Sequence, residues 1–83
     1  MIDKNRPLSI LRYLWDHTDE SHPATITKLL AYLESQGIHA NRKTVAADIR
    51  DFQEAGLDII CNRSRQNQYF IGDRGLELAE LKL

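Results

Sequence analysis

Eighty-three residues hold one small domain and leave no room for a second. With 42% hydrophobic and 28% charged residues, and no run near the roughly 18 apolar residues of a transmembrane helix, the chain is neither disordered nor membrane-spanning. Eleven Lys and Arg against twelve Asp and Glu exclude a strongly basic nucleic-acid binder, and the single cysteine, Cys61, excludes an internal disulfide. The opening MIDKNRP is charged and is not followed by an unbroken apolar stretch of the secretory kind, so a cytoplasmic protein is expected.

The first helix is expected over roughly residues 6 to 17. Leu8, Leu11, Leu14 and Trp15 recur there at helical spacing, and Ile10 and Tyr13 fall outside that stripe. Only Ser9, Arg12 and Asp16 mark a wet side. A helix apolar around most of its circumference needs more than one neighbour, which implies a dimer partner or a further domain. The polar loop TDESHP, Thr18 to Pro23, leads into a second helix with Thr25 as its N-cap and Ile26, Leu29, Leu30 and Leu33 as its buried stripe. Gly37 suits the left-handed position that ends it. Asn41 caps a third helix, "NRKTVAADIRDF", buried through Val45, Ile49 and Phe52 and stopped at Gly56. At 100° per residue its opposite face carries Lys43, Ala47, Arg50 and Glu54. Leu57 to Cys61 and Tyr69 to Ile71 are β-rich and flank polar residues 62 to 68, which reads as a hairpin with a long tip.

Helix, helix, helix, hairpin is the winged helix-turn-helix order: mainly α, three helices followed by a two-stranded wing. Residues 5 to 83 resemble the N-terminal winged helix-turn-helix of the WYL-domain transcriptional regulators, within the broader DeoR-like group. The stretches that carry the resemblance are "HTDESHPATITKLLAYLESQGI", "NRKTVAADIRDFQEAGLDI" and "QYFIGDRGLELAELKL". It implies a domain over 1–72, with 73–83 starting a linker towards a C-terminal WYL-like sensor domain that this sequence lacks. It also implies a double-stranded DNA partner, and an effector ligand only where such a sensor is present. In that family a tyrosine and an arginine are usual at the positions of Ala46 and Ala47.

The chemistry of the residues points the same way. From Asn41 to Gln68 the basic residues Arg42, Lys43, Arg50, Arg63 and Arg65 gather at a helix start and a loop. A helix start offers free backbone N–H groups, and Arg42, Lys43 and Thr44 add donors for phosphates or base edges. Ala47 can touch a thymine methyl but cannot read guanine. Arg63 and Arg65 fit a wing tip that reaches the phosphate backbone or a narrow minor groove. The expected DNA-binding residues are therefore Arg42, Lys43, Thr44, Ala47, Arg50, Arg63 and Arg65. Thr25 and Thr27 offer further hydroxyl donors to a phosphate, although capping alone accounts for Thr25.

Asp48 and Asp51 are expected towards the flanks of the third helix, orienting basic groups or satisfying turn donors. Tyr13, Trp15, Phe52, Tyr69 and Phe70 are expected to build the core, and Cys61 to be a buried, inert thiol. His17, Asp19, Glu20 and His22 share one loop at a spacing that matches no zinc pattern, and no phosphate-cradling glycine pattern occurs. No catalytic residue, metal or cofactor is expected. The near-zero charge and the bare Ala46-Ala47 pair favour one alternative, a winged-helix module for protein–protein contact or dimerisation without productive DNA binding. In it, the apolar surface of the first helix and Leu76, Leu78, Leu81 and Leu83 are the contact groups.

Overall fold

The computed structural model describes residues 5–63 and 67–72. Within them the order is α1 (Arg6–His17), β1 (Ala24–Thr25), α2 (Ile26–Ser35), α3 (Arg42–Glu54), β2 (Ile59–Arg63) and β3 (Asn67–Ile71). Each helix starts on a side chain that accepts an otherwise free backbone N–H. Asn5 accepts from Leu8, Thr25 from Lys28 and Asn41 from Thr44. Gly37 and Gly56, at φ 79° and 108°, let the chain turn away after α2 and α3 in the left-handed region where a Cβ is strained.

The three helices pack on one another and on the sheet around Ile10, Leu14, Leu29, Leu33, Val45, Ile49 and Ile71, all of them sealed from solvent. Each such side chain stabilises the fold by about 1.5–3 kcal/mol relative to exposure. The stripes expected for α2 and α3 are the ones observed, with Leu29, Leu33, Val45 and Ile49 innermost and Ile26, Leu30 and Phe52 at the margin.

On α1 the expected stripe is corrected. Ile10, expected outside it, is fully buried with Leu14, whereas Leu8 is 58% exposed and Leu11 and Trp15 lie half-buried on the outer side. Ser9, expected on the wet side, is also half-buried. A helix apolar nearly all round has no unique inner face in its own sequence, and the packing against α2, α3 and β3 selects one. Tyr13 sits on the other flank, its ring centroid 4.8 Å from that of Tyr32 and 5.0 Å from that of His17.

The hairpin belongs to a three-stranded antiparallel sheet in the order β1-β3-β2. Ala24 and Thr25 pair with Tyr69 and Gln68, a strand too short to leave an alternation in sequence. The wing strands also run further than expected, because Asn62 pairs with Gln68 and Arg63 with Asn67. Backbone pairing does not require apolar side chains on an exposed hairpin, so polarity alone overstated the tip. Thr18 fastens α1 to the sheet. Its buried hydroxyl donates to the Leu14 carbonyl at 2.6 Å and accepts from the Ile71 N–H at 3.2 Å. Of the expected core aromatics, Tyr69 and Phe70 are buried, and Tyr13, Trp15 and Phe52 pack at its edge. The expected linker 73–83 and its leucines lie outside the described residues. No helix among the described residues is long and apolar enough to cross a membrane.

Candidate nucleic-acid interface

The burial of Val45 and Ile49 fixes which side of α3 faces out, and Lys43, Ala47, Arg50 and Glu54 are all exposed there. Thr44 is half-buried, and its backbone N–H is taken by the Asn41 side chain at 2.8 Å. Arg42 is exposed but held: its Nη2 donates to Thr27 Oγ1 at 2.7 Å, which ties the start of α3 to the start of α2. Thr27, expected to serve a phosphate directly, has its hydroxyl oxygen engaged in positioning a guanidinium. Thr25 is the α2 cap.

Across from this face stands the wing. Arg63, the last residue of β2, is exposed, and Arg65 lies outside the described residues. Gln53 Nε2 donates to the Ile59 carbonyl at 2.7 Å and so fastens α3 to the first residue of β2. Beside that tie a cleft of about 240 Å³ opens between helix and wing, lined by Ala46, Arg50 and Gln53 on one side and by Cys61, Arg63 and Asn67 on the other. The buried Tyr69 lines it too. Burial, then the neighbouring Cys61, pushes the Tyr69 phenol above its ordinary value. Cys61 itself is half-buried, not buried as expected, and lines the same cleft as the small Ala46.

Two contacts were not legible as partners. Asp48 is buried and takes a forked contact from Arg6, Nε to Oδ2 at 2.6 Å and Nη2 to Oδ1 at 3.3 Å. This pins the first turn of α1 to the middle of α3. The hydrogen bond to Asp48 raises the Arg6 pKa above its ordinary value. Asp48 therefore does orient a basic group, one 42 residues away, and the available signal was its position only 60° round the helix from Val45. Asp51, by contrast, is exposed. In the loop after α1, Asp19 accepts from Ser21 and His22 backbone N–H groups, both at 2.8 Å, and contacts His22 Nδ1 at 2.9 Å. Its hydrogen bond with His22 leads the causes that lower its pKa. Among the described residues no group of three or more His, Cys, Asp or Glu side chains is placed to share a metal ion.

The sequence profile described as FokI, D3 domain matches residues 4–64, which covers α1 through β2. The chain belongs to the FokI D3 domain family. That family is one of DNA-binding winged-helix-like domains, which agrees with the expected kind of domain and is coarser than the WYL-regulator resemblance. No curated protein and no solved structure is significantly similar to the chain. As a FokI D3 family member it carries the exposed residues of α3, and Arg63 at the end of β2, inside the matched span.

Proposed function

We propose that the chain binds double-stranded DNA as the winged helix-turn-helix of a cytoplasmic, WYL-like transcriptional regulator, with α3 entering the major groove and the wing on the flanking backbone. The observation that carries the reading is the outward face of α3. Lys43, Ala47 and Arg50 are presented opposite the core stripe, and Arg63 of the wing lines the same cleft as Arg50. Arg42 and Thr44 flank the helix entry, and Arg65 belongs to the same wing segment in sequence. The small side chains of Ala46 and Ala47 allow close approach but read little, so most of the affinity comes from phosphates. We further propose a homodimer joined through the outer side of α1, where Leu8 and Leu11 meet solvent, presenting two recognition helices to half-sites about one DNA turn apart. Effector control requires a sensor domain beyond this sequence. No catalytic role is assigned to any residue.

Anisotropy of a labelled duplex over a salt series tests this. With ~3 to 4 phosphates neutralised per protomer, log K against log salt should fall with a slope of about −3, doubled for a dimer. A salt-independent affinity contradicts it. The second reading, a protein-binding or dimerising winged helix, is favoured by the 58% exposure of Leu8 on the unfilled side of α1 and by the net charge of −1. Self-association without any duplex binding at low salt would select it.

A further inference from the structure

We propose that the cleft between α3 and the wing is the seat of a single DNA-backbone phosphate, held between the guanidiniums of Arg50 and Arg63; this rests on the DNA-binding reading above. The cleft is built from both recognition elements, with Ala46, Ile49, Arg50 and Gln53 from α3 and Cys61, Arg63, Asn67 and Tyr69 from the wing. Its charge is one-signed. Among the described residues two arginines line it and no carboxylate does, although α3 carries Asp51 and Glu54 and the chain as a whole is at −1. Guanidinium forks match the oxygens of a phosphodiester and stay charged at every working pH. The other lining residues are small or neutral, and Tyr69 remains protonated because burial disfavours its anion.

Gln53 donates to the Ile59 carbonyl, so the two arginines are carried on elements already fastened together. The bare Ala46 then has a positive role. Any longer side chain at this half-buried position would project over Cys61 and fill the space an oxygen-bearing ligand needs. The helix and the wing thus converge on one phosphate, which fixes how deep α3 can sit.

The test is a methylphosphonate scan, in which one phosphate at a time of a bound duplex is made neutral. At a log–log slope of about 0.9 per phosphate, one contact is worth about fivefold in affinity at 0.15 M salt relative to 1 M. The parental protein should lose about that factor at one position in particular. Arg50→Gln and Arg63→Gln should each become less sensitive at that same position, because one guanidinium still meets the phosphate, and the double variant should become insensitive there. Ala46→Leu, which keeps every charge, should become insensitive there too, with its circular dichroism unchanged. Loss of sensitivity at two different positions for the two arginine variants, or full retention in a folded Ala46→Leu, overturns the shared seat. So does tight binding of free inorganic phosphate to the same residues by NMR, which would mark a free-anion site. A parental protein that binds no duplex at any salt fells the DNA reading itself, whereas intact binding with unlinked arginines fells only this proposal.

Discussion

Arg6 and Asp48 offer a sharp mutational contrast, because the two partners of one ion pair are buried to different depths. The Asp48 side chain is 9% exposed and that of Arg6 36%. Loss of the arginine strands a carboxylate away from water, whereas loss of the carboxylate leaves a guanidinium that can turn to solvent. Breaking a fully buried pair from one side costs about 3–5 kcal/mol. Solvent screening of a partner this exposed reduces the figure, so Arg6→Ala should cost about 2 kcal/mol. Asp48→Asn keeps an acceptor oxygen within reach of the Arg6 Nε and should cost about 1 kcal/mol. A domain of this length has roughly 4–12 kcal/mol in all, so both changes are measurable in urea unfolding followed by circular dichroism with an unchanged m value. Replacing both residues by Met should recover most of the loss, since an apolar pair carries no desolvation penalty. Costs below about 0.5 kcal/mol for both single variants, or a larger cost for Asp48→Asn than for Arg6→Ala, would refute the role given to this contact.

Thr18→Val should destabilise the fold by about 1–3 kcal/mol by leaving the buried Ile71 N–H without its acceptor, while Thr18→Ser should retain most of it; chemical denaturation compares the two. Ala47→Arg should strengthen duplex binding and shift preference towards guanine by roughly 1–3 kcal/mol, read by competition between duplexes that differ at single positions. Tyr69 should titrate above 10.0, in the direction set by its burial. Because the folded state disfavours the phenolate, its contribution to stability is present below the unfolded value and is lost as pH rises through the folded one, which NMR titration and unfolding at alkaline pH can follow. Asp19 should titrate below 3.8, and His22→Ala should move it upward by removing its largest lowering influence.

The helices were legible because their starts and stops are chemical. Thr25 and Asn41 cap α2 and α3, Gly37 and Gly56 follow their ends, and the stripes Leu29-Leu33 and Val45-Ile49 have one apolar side each. The inner face of α1 was not legible, because Ile10 competes with Leu8 and Leu11 and only the neighbours decide among them. β1 was missed because a two-residue strand exists through its pairing with β3 and has no pattern of its own. At the interface, periodicity placed Lys43, Ala47 and Arg50 on the outside, since that follows from the buried stripe alone. The pairings Arg6–Asp48 and Arg42–Thr27 and the cleft over Cys61 join residues distant in sequence, and a single chain's pattern does not encode such contacts.

Entry of α3 into the DNA groove is tested most directly by Lys43→Glu. Lys43 is exposed in the first turn of α3 and outside the core, so the variant should fold with an unchanged circular dichroism spectrum. Reversing one charge in the groove amounts to two charge steps of about fivefold each at 0.15 M salt, so duplex affinity measured by anisotropy should fall about 30-fold. A folded Lys43→Glu protein that binds duplex DNA as tightly as the parent would contradict the account and leave the protein-binding reading in its place.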